Sequence, residues 1–248
     1  MDMLRPDPIS LLASCLQEQD WNQQQLVQTA HDPVWRLWGY QEPGLVLGCS
    51  QRNALGSSPA AAIEVVSRQA GGGAVLVGPW MLSASVVLPN AHALVSGNLV
   101  ASYRWLGELY AALLQDMGIA AHAIVPEEAR VLQQTVPTEL AWACYGGFSP
   151  WEVVVGKKKI VGLAQVRRRT GVLLVAGLLL DRPDWALLAQ TMDKSATHAA
   201  LLEDGTTSCT QQLGRKVLLP EIVPALAHAL RNATDGAGNT QPRLVPDK

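Results

Sequence analysis

Three consecutive glycines, Gly71-Gly72-Gly73, are the first residues whose type and spacing could serve chemistry. Without Cβ atoms they can enter φ > 0 and let a ligand approach backbone N–H groups closely. That suits an acyl tail or a phosphate, and equally a tight turn between strands. Arg68, three residues earlier, could add an anion-binding fork to the same loop or stand as a solvated charge. A second candidate is Gly156-Lys157-Lys158-Lys159-Ile160-Val161-Gly162, where lysines lead a strand. Lys157 and Lys158 read as solvated turn residues. Lys159 shares a strand face with apolar residues, and a half-buried ammonium there needs a counter-group. A substrate carboxylate, an acyl carbonyl or a phosphate could provide it; a lysine snorkelling from a strand end would need none and would contribute little to stability. Cys15, Cys49, Cys144 and Cys209 are widely spaced, with no CxxC pair and no histidine at a metal-ligand interval, so neither a metal site nor a disulfide framework is expected.

Periodicity predicts the elements that must position these residues. Ser10 as N-cap, with Leu11, Leu12, Cys15 and Leu16 at helical spacing, predicts a helix over residues 9–30. Residues 34–40 and 45–47 read as two strands joined by the Glu42-Pro43-Gly44 turn. A small-residue stretch at 54–62 is followed by a β-branched strand at 63–68, which runs into the glycine loop. Strands at 74–77 and 82–88 around Gly78-Pro79-Trp80 then suggest a meander. Leu99, Tyr103, Leu106 and Tyr110 predict a helix over 98–117, ended by Gly118. Three further strands follow at 151–155, 159–168 and 172–180. Alternation in the middle one places Lys159, Val161, Leu163 and Gln165 on one face. Helices are expected at 184–192 and 220–232. The fold class is therefore α+β, a mixed or antiparallel sheet flanked by helices, with one domain over 1–232 and a disordered tail over 233–248.

With 248 residues, 48% of them hydrophobic, the chain can bury a sizeable single core. Its 19 basic and 21 acidic residues nearly cancel, which argues against nucleic acid or an anionic membrane as partner. The longest apolar stretch, residues 172–180, is far short of the ~20 residues a membrane-spanning helix needs. Acids and prolines at the N-terminus replace the basic and apolar regions of a secretory signal, so a cytoplasmic protein is expected.

The segment Arg68-Gln69-Ala70-Gly71-Gly72-Gly73-Ala74-Val75 resembles the Arg-x-x-Gly-Gly-Gly-Ala-Val loop of the biotin/lipoate protein ligase family. Residues 156–165 resemble its Gly-Lys-Lys-Ile-x-Gly-x-Ala-Gln segment, and residues 40–48 are similar to an earlier strand-turn pattern. The matches run in the family's order over residues 35–232. The resemblance implies the fold of that family's catalytic domain, and an acyl site formed by Arg68, Gly71, Gly72, Gly73, Ala74, Gly162 and Gln165. It gives Lys159 the place of the active-site lysine, in contact with the acyl carbonyl or acyl-phosphate. Ala143-Cys144-Tyr145, followed by Ser149-Pro150-Trp151-Glu152, resembles the segment in which one octanoyltransferase branch carries its cysteine nucleophile. Cys144 is then the candidate to attack an acyl thioester, with loop amides as oxyanion donors.

The implied activity is transfer of an octanoyl or lipoyl group from acyl carrier protein to the acceptor lysine of a lipoyl-domain protein, with no cofactor required. Two alternatives stand beside it. One is an ATP-dependent lipoate-protein ligase without an accessory domain, taking free lipoate with ATP and Mg, in which Arg68 and Lys159 bind the acyl-adenylate phosphate. The other is a non-catalytic acyl- or lipoyl-domain-binding homologue. Val77-Gly78 and Ala176-Gly177 stand where many members carry His-Asp and His-Gly pairs. The Arg-rich glycine loop of biotin ligases is absent, so biotin is not the expected cargo.

Overall fold

The computed structural model describes residues 8–52 and 63–236. Its centre is two long strands, β6 (Met81–Leu88) and β10 (Gly171–Leu179), read in the sequence as almost unbroken apolar runs because both of their faces are covered. They pair antiparallel, Ala84 opposite Ala176, inside a seven-stranded sheet of order β1-β2-β6-β10-β9-β8-β7. The outer members are β1 (Ile9–Ala13) and β2 (Val34–Tyr40) on one side, and β9 (Lys158–Arg168), β8 (Val153–Val155) and β7 (Ala121–Ala123) on the other. All neighbours are antiparallel except β1 and β2. A second, three-stranded sheet holds β3 (Gly44–Leu47) between β4 (Glu64–Ser67) and β5 (Val75–Val77).

One face of the large sheet, with Leu82, Ala84, Val86, Leu174, Ala176 and Leu178, is sealed by α2 (Arg104–Asp116) and α7 (Leu219–Gly236). Leu106, Tyr110 and Leu114 of α2 and Ile222, Leu226 and Leu230 of α7 recur every four residues and are fully buried. At about 1.5–3 kcal/mol for each large side chain removed from water, this packing is the main apolar seal. The opposite face looks towards the small sheet, α1 (Cys15–Val27), α4 (Trp185–Thr191) and α5 (Ala196–Gly205), and its strands carry smaller residues there: Ser83, Val175 and Gly177. Helices α3 (Pro126–Gln133) and α6 (Cys209–Leu213) complete the described α-helices; α3, α5 and α6 do not follow from the sequence periodicity.

The α+β class and the mixed sheet agree with the sequence reading, and several boundaries do not. The helix expected over 9–30 begins only at Cys15, where Ser14, not Ser10, caps it: Ser14 Oγ accepts from Gln17 N and the Gln17 side chain takes Ser14 N. The residues before it pair with β2, Ile9 opposite Leu37. The turn after Tyr40 does not close a hairpin, since β2 and β3 belong to different sheets. β5 and β6 are divided in the same way, so the meander is not formed. Helix α7 continues to Gly236, four residues past the boundary expected at 232. The rest of the expected tail and the 54–62 stretch lie outside the described residues. Among the described residues no helix is long and apolar enough to cross a membrane.

Candidate active site

Strand β4 delivers Arg68 to the start of the glycine loop, where its amide donates to Leu47 O at 2.9 Å. The guanidinium then turns back on its own chain. Nε and Nη2 donate to Gly71 O, at 3.2 and 2.9 Å, and Nη2 donates to Gly73 O at 2.9 Å. The three glycines serve different needs. Gly72 has φ +91°, which L side chains rarely adopt, and Gly73 lies so close to the following segment that a Cβ would be 2.5 Å from the Ala143 carbonyl carbon. That contact is a short parallel bridge: Ala74 N donates to Trp142 O at 2.7 Å, and Cys144 N to Ala74 O at 2.9 Å. The loop is thus the seat on which the cysteine segment rests.

Cys144 opens a single 3-10 turn, Cys144–Gly146, and its side chain is half-buried. Tyr145 beside it is buried over the large sheet, where its hydroxyl donates to Gly177 O at 2.6 Å. Gly162 and Gly177 face each other across β9 and β10, and the missing side chains make room for this ring. Burial pushes the Tyr145 phenol well above its usual range, so the group is a neutral donor.

Lys159 is only 2% exposed. Its ammonium donates to Cys144 O and Gly147 O, each at 2.8 Å, pairs with Glu152 Oε2 at 2.7 Å, and has the Tyr145 ring 5.3 Å away. The counter-group that Lys159 requires is therefore a residue of the chain itself. Alternation also fails at this point. The pairings Val153 with Val161 and Val154 with Lys159 set two β9 residues against one of β8, a bulge that turns Lys159 to the side of Gly162. Val161, Leu163 and Gln165 keep to the face covered by α2 and α7, with Gln165 opposite Leu174. The Gln165 amide has no partner among the described residues.

Glu152 was not singled out in the sequence. It is 1% exposed and accepts from Ser149 N at 2.8 Å and Leu163 N at 3.2 Å besides Lys159. Burial pushes its carboxyl above the usual range, and the Lys159 charge pulls the other way. The signal that could have found it is simple: it is the one acid between Glu139 and Asp181, in a chain where a buried lysine needs a partner.

These elements border a cavity between the large sheet, the small sheet and α1. Cys144 stands in its wall together with Val75, Val77, Met81, Leu173 and Val175, a mainly apolar lining of the kind that holds a small ligand. Arg68 and Gly162 also line it. Gly71, Gly72, Gly73 and Ala74 form the supporting loop, Lys159 lies behind the cysteine segment, and Gln165 is on the other side of the sheet. Helix α1 adds Glu18 and Asn22, which sequence reasoning had not marked; Glu18 accepts from Tyr40 Oη at 2.8 Å, and burial raises its carboxyl. A thiol at the edge of an apolar cavity can attack an acyl thioester whose tail occupies that cavity.

Residues 13–231 match the family described as lipoyl protein ligase A/B catalytic domain. The octanoyltransferase LipM of Kyrpidia tusciae is 34% identical over 161 residues, covering 63% of this chain and 58% of that protein. The chain thus spans little more than half the length of this curated relative. Among solved structures, protein Ta0514 of T. acidophilum with bound lipoic acid aligns with a TM-score of 0.64 at 17% identity, over 92% of this chain and 83% of the other. A lipoate-protein ligase A bound with ATP aligns at 0.58 and 19% identity, over 84% and 75%. At these identities the structures establish the fold.

Proposed function

We propose that this chain, which belongs to the lipoyl protein ligase A/B catalytic-domain family, transfers an octanoyl or lipoyl group from an acyl-carrier thioester to the acceptor lysine of a lipoyl-domain protein, through a thioester on Cys144. The observation that carries this reading is the place of Cys144, a half-buried thiol in the wall of an apolar cavity. The likeness to an octanoyltransferase supports octanoyl as the cargo. Cys144 sulfur attacks the donor carbonyl, forming a new C–S bond while the bond to the carrier breaks, and the carrier leaves as its thiol. The acceptor amine then attacks the acyl-enzyme, the amide forms and the Cys144 thiol is restored. Neither step consumes a nucleotide. The competing ATP-dependent ligation would draw on Arg68 and Lys159 for a phosphate, and both cations are engaged by loop carbonyls.

Incubation with octanoyl-carrier protein and no acceptor tests the proposal. The intact mass should rise by one octanoyl group, return on hydroxylamine treatment, persist in Cys49→Ser and vanish in Cys144→Ser. A wild-type protein that forms no adduct, yet modifies a lipoyl domain when given lipoate and ATP, would establish the ligase reading instead.

A further inference from the structure

Every hydrogen of the Lys159 ammonium has a protein acceptor: the carbonyls of Cys144 and Gly147 and the carboxylate of Glu152. Neither Lys159 nor Glu152 lines the cavity. The contacts of this pair run to the carbonyls and Tyr145 ring of the cysteine segment, to Ser149 N and to Leu163 N. We infer that Glu152 is a positioning residue for the transfer, holding the Lys159 ammonium against the Cys144 and Gly147 carbonyls and so fixing where the thiol stands. The inference rests on the nucleophilic role of Cys144 proposed above.

The connections of the carboxylate carry the argument. Glu152 joins three places that must keep register: Ser149 in the segment after Cys144, Lys159 at the start of β9, and Leu163 next to Gly162 in the cavity wall. An apolar pair of the same volume could fill this buried space without loss of stability. It could not turn the Cys144 and Gly147 carbonyls inward, because a buried carbonyl needs a donor. The ammonium supplies two such donors at 2.8 Å and is itself balanced by Glu152. The Tyr145 ring, 5.3 Å from that nitrogen, is held in the same arrangement and neighbours Cys144 in the cavity lining.

Glu152→Gln, which keeps the shape and removes the charge, and Glu152→Asp, which keeps the charge, test the inference. Single-turnover acylation by octanoyl-carrier protein should slow about 100-fold at saturating donor in the Gln variant, as for a nucleophile displaced by roughly 1 Å. The half-saturating donor concentration should stay within about threefold, because neither Glu152 nor Lys159 lines the cavity. The Asp variant should recover most of the rate. Wild-type acylation in folded Glu152→Gln, a defect confined to half-saturation, or an Asp variant as slow as Gln would each overturn the role. Where Glu152→Gln does not fold, Glu152→Gln/Lys159→Met, which buries no charge, takes its place: folded, slow and more quickly alkylated at Cys144 than wild type agrees with the inference, while a fast rate or unchanged alkylation refutes it. Iodoacetamide alkylation of Cys144 in the substrate-free protein separates this inference from the transfer reading. If wild type forms no octanoyl adduct, the transfer reading falls; faster alkylation in Glu152→Gln would still show the hold on the thiol, and an unchanged rate would remove it.

Discussion

Replacing Gly73 by alanine is expected to damage the site far more than the same change at Gly71 or Gly72, for reasons the structure separates. An ideal Cβ on Gly73 would lie 2.5 Å from the Ala143 carbonyl carbon, 2.6 Å from Trp142 O and 2.7 Å from Cys144 N. These are backbone atoms, so two segments must part by roughly 0.9 Å to restore an ordinary 3.4 Å contact. Parting them stretches the bonds that now measure 2.7 Å from Ala74 N to Trp142 O and 2.9 Å from Cys144 N to Ala74 O. At about 1 kcal/mol per bond and about 1–3 kcal/mol for overpacking, the total is about 3–5 kcal/mol. The same movement shifts Cys144 by most of an ångström, enough for about 100-fold in acylation rate. Alanine at Gly72 costs about 1–2 kcal/mol for its left-handed backbone, and its Cβ meets a single side-chain atom, Arg68 Nη2 at 3.0 Å, which must give slightly while keeping its bonds to Gly71 O and Gly73 O. Gly71 has nothing within 4 Å and no positive φ, so alanine there should be neutral or stabilising by up to about 1 kcal/mol. Urea unfolding and single-turnover acylation of the three variants measure both effects. Equal tolerance at positions 71 and 73, in stability and in rate, would refute the close-approach argument.

Lys159→Ala should lose transfer and also lower stability by about 3–5 kcal/mol, because it strands a buried carboxylate; this replaces the sequence expectation of a strand-end ammonium that contributes little, and an unchanged unfolding midpoint would contradict the ion pair. Tyr145→Phe should cost about 1 kcal/mol through loss of the bond to Gly177 O, read by urea unfolding, and no change would mean that the bond contributes nothing net. Iodoacetamide should label Cys49 and Cys144 in the native protein and all four cysteines after unfolding. Cys15 and Cys209 are buried, and burial pushes the Cys209 thiol up to about 12 and that of Cys15 higher still; native labelling of either, mapped by peptide mass, would contradict their placement.

What the sequence made legible was local. The apolar runs of β6 and β10, the glycine loop after β4 and the stripe of α2 each follow from neighbours a few residues apart. Sheet membership was not legible, because pairing partners are distant: Gly44 follows a turn that looks like a hairpin, yet it pairs with Glu64 and Val77 in the second sheet. The face of Lys159 was misread for a related reason. Strand alternation has a strict period of two, so one extra residue opposite β8 inverts everything before it, and nothing in Lys-Lys-Ile-Val-Gly announces the bulge.

The roles of the two site cations were obscured by a different omission, the needs of the backbone. A lysine and an arginine near glycines suggest an anion to be bound. Glycine loops also leave carbonyls without sheet partners, and buried carbonyls require donors. Arg68 meets those of Gly71 and Gly73, and Lys159 meets those of Cys144 and Gly147. Both charges are thereby used to build the loop and the cysteine segment that rests on it. With the cations so engaged and the surrounding wall largely apolar, Cys144 is the nucleophile candidate lining this cavity on which the proposed acyl transfer rests.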